Sequence, residues 1–391
     1  MRSGRPRHRW VARLSLILAC FAWWSPASAQ LAPEPIPNVE SLPADYPESW
    51  VFLLDANFFG IEAGKLVIAD IGHDVDHHKG ALSLAQFGNF AEATTRPELY
   101  TIETFYSRGS RGERTDTLTI YDKSTLLPAA EIILPDGKRA QMLTEKGAFQ
   151  LSHDERFAYV FNFTPAASIY VVDLVERRIA SEIEIPGCAH AFPLGAGGFA
   201  SLCGNGAMVS MRLDETGALA SQSMGEPFHD LDNDPMFSRP AIVGDMYYFP
   251  SYDGHVQPVD LSGEAAQIGA AWTIPGLSES GAAWRPSGWQ LSTSDSAGRI
   301  YFIMRKGAGE GDHDTGGGEV WVFDPATQSR VQRIALRRDA MSIEVTRGDD
   351  PYLVVVGPDM SLDVYSANTG EWVRNIGGQI ALTPFAVYAA Q

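Results

Sequence analysis

One short pattern recurs along this chain at a spacing that few folds can accommodate. An apolar run ends in Asp or a small polar residue, a tight turn of Ser, Thr, Gly or Asn follows, and a second strand-like run completes a hairpin. The pattern stands at Leu66-Val-Ile-Ala-Asp70, Leu118-Thr-Ile-Tyr-Asp122, Ile169-Tyr-Val-Val-Asp173, Val209-Ser-Met-Arg-Leu-Asp214, Val256-Gln-Pro-Val-Asp260, Val320-Trp-Val-Phe-Asp324 and Leu362-Asp-Val-Tyr-Ser366. The seven ends are separated by 52, 51, 41, 46, 64 and 42 residues. Strand-built repeats of about 40 to 50 residues are what propeller blades look like in sequence. Seven anchors therefore predict seven blades, and a β-sandwich pair or a jelly roll does not explain so many similar hairpins at near-constant spacing. Asp suits the end of such a strand because its carboxylate accepts hydrogen bonds from the amides of the turn. These aspartates are read as structural.

Alternating runs such as Arg156-Phe-Ala-Tyr-Val-Phe161 and Arg299-Ile-Tyr-Phe-Ile-Met304 supply further strands, and no amphipathic helix of convincing length is present. The step of 64 contains a glycine-rich insertion, Lys306 to Gly318, expected to be a flexible rim loop. Ahead of the repeats, Pro33, Pro35, Pro37, Pro43 and Pro47 deny residues 30–49 regular structure and predict an extended arm. The expectation is an all-β chain: a seven-bladed β-propeller over 50–391 with an extended N-terminal arm.

Residues 1–29 read as an export signal. Five arginines precede an apolar run from Leu14 to Trp24, and Ala27-Ser-Ala29 places cleavage before Gln30. That run is too short for a membrane span, which needs about 20 residues. The rival reading is a lipoprotein, since Ile17-Leu-Ala-Cys20 loosely resembles a lipid-attachment box. The whole chain sets 30 basic against 48 acidic side chains, a net charge of −18; without the five leader arginines the balance is 25 against 48, or −23. Such acidity disfavours nucleic acid and anionic membranes and attracts cations, amines among them, although it serves solubility first. Cys188 and Cys203 are the cysteines left after cleavage, and an even pair in an oxidising compartment suggests a disulfide. In the chain-entropy model the 15-residue loop between them corresponds to about 3 kcal/mol.

Chemistry is hard to find in these residues. His73-Asp-Val-Asp76-His77-His78 gathers three imidazoles and two carboxylates and invites a metal reading, but a solvated turn explains it equally and neighbours in a turn rarely converge on one ion. Asp230-Leu-Asp232-Asn-Asp234 opens like a calcium loop and then fails, with Pro235 and Ala241 where Gly and Glu are needed. The glycine-rich insertion lacks the strand and helix that a phosphate cradle requires, and no GxSxG elbow or Cys/His pairing with a third member occurs. Among the six tryptophans past the leader, Trp321 lies on an anchor strand and is expected in the core. Trp284 and Trp289 bracket Arg285-Pro-Ser-Gly288 in a loop and are candidates for contact.

Several separated motifs are similar, in order, to the heavy subunits of methylamine and aromatic amine dehydrogenases. They are Tyr106-Ser-Arg-Gly-Ser-Arg-Gly-Glu-Arg-Thr-Asp116 before Asp122, Pro165-Ala-Ala-Ser-Ile169 with Val171-Val-Asp173, Gly187-Cys188 with Cys203-Gly204, Trp284-Arg-Pro-Ser-Gly-Trp-Gln290, and Arg338-Asp-Ala-Met-Ser342. The resemblance covers the chain beyond the arm. It implies a periplasmic α2β2 heterotetramer whose small, cysteine-dense subunit carries tryptophan tryptophylquinone, so this chain holds no cofactor, no metal and no catalytic residue. Primary amines would be oxidised to aldehyde and ammonia, with electrons passed to a cupredoxin such as amicyanin or azurin. Asp55-Ala-Asn-Phe58 matches the family motif whose aromatic residue lines the substrate channel, a role carried here to Phe58; an ordinary core Phe beside Phe59 is the alternative. The stretches Ala200 to Asp260 and Val320 to Arg333, and the insertion with Gly309-Glu-Gly311, look closer to the aromatic enzyme and Trp284 to Gln290 to the methylamine enzyme, which leans the expectation toward an aralkylamine. The competing reading is a stand-alone periplasmic propeller that binds a ligand or hydrolyses a lactone, and a third is an interaction scaffold without a redox partner.

Overall fold

The computed structural model describes residues 41–391 apart from positions 76, 143, 378 and 379, so the expected leader, most of the arm and Asp76 lie outside the described residues. Seven antiparallel sheets account for nearly all of the regular structure. In chain order, six of them are built outward from a first to a fourth strand. The second blade, for instance, runs Asn89–Glu92, Glu98–Arg108, Arg111–Asp122, Pro128–Leu134, and the seventh runs Ser342–Val345, Tyr352–Val356, Leu362–Ser366, Trp372–Ile376. The first blade is assembled from both ends of the chain. Trp50–Asp55, Lys65–Asp70 and His78–Ser83 come from its start, and the C-terminal strand Pro384–Ala389 pairs antiparallel with Trp50–Asp55 and closes the ring.

Every anchor is the third strand of its blade, and the turn that follows leads to the outermost strand. The aspartates behave as their chemistry requires. Asp122 Oδ1 accepts the amides of Ser124 (3.1 Å) and Thr125 (2.8 Å), Asp173 Oδ1 those of Val175 (3.0 Å) and Glu176 (2.9 Å), and Asp214, Asp260 and Asp324 repeat the arrangement. Donors from the turns, the side chains of Ser124, Thr216, Ser262 and Thr327 foremost, hold the carboxyls of Asp122, Asp214, Asp260 and Asp324 below the ordinary range.

The core is divided into seven apolar clusters, one between each pair of neighbouring blades. Because each sheet is covered on both faces, successive residues of one strand go to opposite neighbours. Phe157, Tyr159 and Phe161 pack toward the fourth blade and Ala158 and Val160 toward the second. This is why the anchors read as continuous apolar runs rather than as half-buried alternation. Residues 41–49 lie across the turns of the first two blades: the Leu42 amide donates to Ser124 O (2.8 Å), and the buried Tyr46 gives its hydroxyl to Lys123 O (2.5 Å). The long step of 64 residues has two sources. One is the rim loop 307–316, and the other is the connection 274–291, which carries an extra short strand, Trp284–Pro286. The rim loop is tied to that connection, Gly288 N to His313 O (2.9 Å) and Gly316 N to Ser287 Oγ (3.0 Å).

A rim cluster around Phe58

Strand alternation sorts the connections between two faces. Turns from first to second and from third to fourth strands fall on one face, with the aspartates. Tips between second and third strands share the opposite face with the links from one blade to the next. Phe58 lies on that second face, just after Trp50–Asp55. The buried carboxylate of Asp55 organises its loop: it accepts the amide of Asn57 (3.0 Å), and across the ring-closure seam the amides of Leu382 (2.8 Å) and Thr383 (2.9 Å) and the Thr383 hydroxyl (3.0 Å). Asn57 turns into the left-handed region at φ +44°, and the Phe58 amide then donates to Thr383 Oγ1 (3.2 Å). The loop is thus fastened to the segment that begins the closing strand.

Phe58 remains 41% exposed and its neighbour Phe59 86%. The Phe58 ring meets Phe385 edge-on (5.6 Å, 84°) and Phe87 at a tilt (6.2 Å). Phe87 is held from behind by Arg139, a buried guanidinium that donates to the carbonyls of Gln86 (3.3 Å) and Phe87 (2.5 Å); both of those residues have positive φ, +59° and +56°. Burial, opposed by Asp116, pulls Arg139 down to about 10. On the other side Trp289 leans on Phe385 (4.9 Å, 40°) and gives its indole N–H to Thr144 O (3.0 Å). The glycine before it is required: Gly288 sits at φ +139°, and a Cβ there would stand 2.9 Å from Met341 O.

Behind Trp289, at the mouth of the channel along the propeller axis, is a small group of ionisable side chains. Arg239 lies over the indole at 4.3 Å and donates to the carbonyls of Gly288 (3.3 Å) and Trp289. Its Nε is 3.6 Å from Glu145, which also accepts the Ser238 hydroxyl (2.7 Å) and stands 3.4 Å from His190 Nε2. Burial lowers the affinity of both Arg239 and His190 for a proton, with Glu145 opposing in each case. Nothing in the sequence marks Arg239, Glu145 or His190; they are far apart along the chain, and only the ring brings them together.

Other candidates lie elsewhere. Cys188 and Cys203 face each other across the first two strands of the fourth blade and are joined by a disulfide, away from the Phe58 cluster. His73 and His77 turn back on the first anchor, His73 Nδ1 to Asp70 Oδ2 and His77 Nδ1 to Asp70 O, both 2.8 Å, on the face opposite Phe58. Among the described residues no three His, Cys, Asp or Glu side chains are placed to hold a metal. Asp230 is spent on its own turn, accepting the amides of Asp232 and Asn233. Trp321 is fully buried. Trp284, a candidate for contact in the sequence, is 4% exposed and packs on Trp321 at 5.2 Å, so it belongs to the core between the fifth and sixth blades.

Large apolar side chains stand exposed around the cluster on the same face: Phe59, Phe105, Met142, Phe163 and Leu382, all from the first three blades or the seam. Patches of this kind mark interaction surfaces. No helix among the described residues is long and apolar enough to cross a membrane.

The sequence matches the family model for methylamine dehydrogenase heavy chain (MADH) over residues 50–388. It is 31% identical to the methylamine dehydrogenase heavy chain of Paracoccus versutus over 281 residues, which span 70% of this chain and 64% of that one. It is 26% identical to that of Methylophilus methylotrophus over 316 residues, 80% and 76% of the two chains. Among solved structures it is similar to a putative 6-phosphogluconolactonase from Bacteroides fragilis (TM-score 0.55, 10% identity, covering 91% of this chain and 99% of that one). A dihydro-heme d1 dehydrogenase is similar at TM-score 0.52 and 13% identity, covering 91% and 78%. At those identities the likeness concerns the fold alone.

Proposed function

The chain belongs to the methylamine dehydrogenase heavy chain family, and from that premise we propose that it is the large subunit of a periplasmic amine dehydrogenase, a wall and docking surface for chemistry carried on a second polypeptide. The observation that carries this reading is the rim cluster. An aromatic ring, Phe58, is presented half-exposed by a loop tied to the seam, amid apolar side chains left exposed among the described residues. The partner is a small subunit bearing tryptophan tryptophylquinone, in an α2β2 heterotetramer. Bound there, the quinone would supply the two-electron oxidation of a primary amine, with water, to aldehyde and ammonia, and a cupredoxin such as azurin or amicyanin would accept the two electrons one at a time.

This chain's own part is steric and dielectric. Phe58, backed by Phe385 and Phe87, lines the approach to the reacting carbon, excludes water and favours an aromatic side chain over a methyl group, so the proposed substrate is an aralkylamine. At the rim this chain offers apolar rings for a cofactor-bearing partner to rest against. The domain division proposed with this reading is a leader over 1–29, an arm over 30–49 and the propeller over 50–391. The disulfide suits an oxidising compartment.

Gentle extraction from cells expressing the chain with its native neighbours tests the assembly: a small, quinone-absorbing polypeptide should co-purify, and a chain that emerges alone contradicts it. Replacing Phe58 by Ala should lower the preference for 2-phenylethylamine over methylamine by about ten-fold in kcat/KM, the weight of one aromatic contact. An unchanged preference removes Phe58 from the channel.

A further inference from the structure

We propose that Arg239 and Glu145 are positioning residues for the substrate wall: their ion pair at the mouth of the axial channel sets the pose of the Trp289 indole and, through Phe385, that of Phe58. This inference rests on the reading of Phe58 as the channel wall.

The contacts form an unbroken series. Glu145 meets Arg239 at 3.6 Å, Arg239 meets the Trp289 ring at 4.3 Å, Trp289 meets Phe385 at 4.9 Å, and Phe385 meets Phe58 at 5.6 Å. Stability does not explain a cation in this place. A largely buried ion pair costs desolvation roughly equal to its Coulombic gain, and an apolar side chain of the same volume packs as well or better. A guanidinium supplies direction instead. Its face lies against the indole while its N–H groups bind the carbonyls of Gly288 and Trp289, so one side chain fixes both the ring and the backbone that carries it. Glu145, itself oriented by the Ser238 hydroxyl at 2.7 Å, is the only ion-pair partner of Arg239 among the described residues.

The pose needs holding because there is space to lose it. A cavity of about 50 Å³ adjoins the indole, lined by Glu145, Arg239, Phe192, Trp289, Gln290 and Ala386. Removing the guanidinium enlarges that space and frees the indole to tilt away from Phe385. Phe58 touches Phe385 with its edge, and then lacks a fixed support on that side. An aromatic amine that packs on Phe58 senses the change, whereas methylamine, which has no ring to place, does not.

The test uses the assembled two-subunit enzyme and compares kcat and KM for 2-phenylethylamine and methylamine. Arg239→Ala should raise KM for 2-phenylethylamine about five-fold, toward the low end of what a cation–π contact supplies, and leave kcat and both methylamine constants within two-fold. Arg239→Lys, which keeps a cation near the indole but gives up the planar face and the paired carbonyl contacts, should recover only part of the loss. Should Arg239→Ala fail to fold, the isosteric Glu145→Gln gives the same direction with a smaller shift.

If Arg239→Ala leaves the ratio of the two KM values unchanged while Phe58→Ala alters it, the positioning role is overturned and the channel wall stands. If neither variant alters it, the wall falls, and this inference with it. Equal losses for both amines, or no recovery with Lys, also overturn the proposal, since a purely structural role produces that pattern.

Discussion

His190 lies in the left-handed backbone region (φ +65°) with its ring buried, Nε2 toward Glu145 and Nδ1 without a hydrogen-bond partner in the structure. Burial holds its pKa below the ordinary value, Arg239 acting in the same direction and Glu145 against. The unfolded chain therefore binds a proton before the folded one does. Stability should fall as pH drops below about 6.5, the unfolded value, and go on falling until the lower folded pKa is passed. His190→Asn, which tolerates positive φ, should make the midpoint of urea unfolding less dependent on pH between 7 and 5.5, whatever it does to the absolute midpoint; an unchanged slope would show that the imidazole does not titrate in this window. His229, also lowered by burial, accounts for a remaining slope. Arg239 and Glu145 show why such residues stay hidden in a sequence: each is an ordinary charged side chain, and Glu145 is 93 positions from Ser238 and 94 from Arg239. Asp55-Ala-Asn-Phe58 was legible only through a family motif.

At the scale of the element, the hairpin between third and fourth strands was legible in full, because its hydrogen bonds are local. The side chain of Asp173 is within three residues of both amides it accepts. Asp173→Ala should cost about 1 kcal/mol by removing the buried carboxylate from two part-buried amide donors, read from denaturant unfolding; a loss below about 0.3 kcal/mol would mean that water replaces the carboxylate without cost. The depressed carboxyls of Asp122, Asp214, Asp260 and Asp324 act in the opposite half of the pH range from a base. Their contribution is complete above the unfolded value near 4 and is lost as pH falls through the lower folded values. In the fourth blade, replacing Cys188 and Cys203 together by Ser should lower stability by up to about 3 kcal/mol, and reduction of the wild type should give the same loss; no difference would imply that the hairpin alone constrains the unfolded chain. The connection 274–291 was not legible. Its extra strand and the burial of Trp284 depend on Trp321 and on the rim loop 307–316, which the sequence places well outside any local window.

For the whole molecule, closure is the decisive event. Pro384–Ala389 supplies the innermost strand of the first blade and brings Phe385, Ala386 and Val387 into the clusters on either side of it. A chain ending at Thr383 should lose cooperative unfolding and accumulate in the insoluble fraction, because two of seven interfaces are opened at once; a soluble truncation with the full-length melting profile would show that the ring does not depend on its seam. The same seam positions Phe58 through Asp55 and Thr383, so closure and the wall are one construction. The blade count, the turns and their aspartates, and the paired cysteines could be taken from the amino acids alone, since each rests on a repeat, a local hydrogen bond or a simple count. Which loops share a face, where Phe58 points, and that Arg239, Trp289 and Phe385 stand in series behind it were decided by tertiary structure. The reason is physical: contacts between side chains hundreds of residues apart exist only once a ring has closed and the direction of every strand is set.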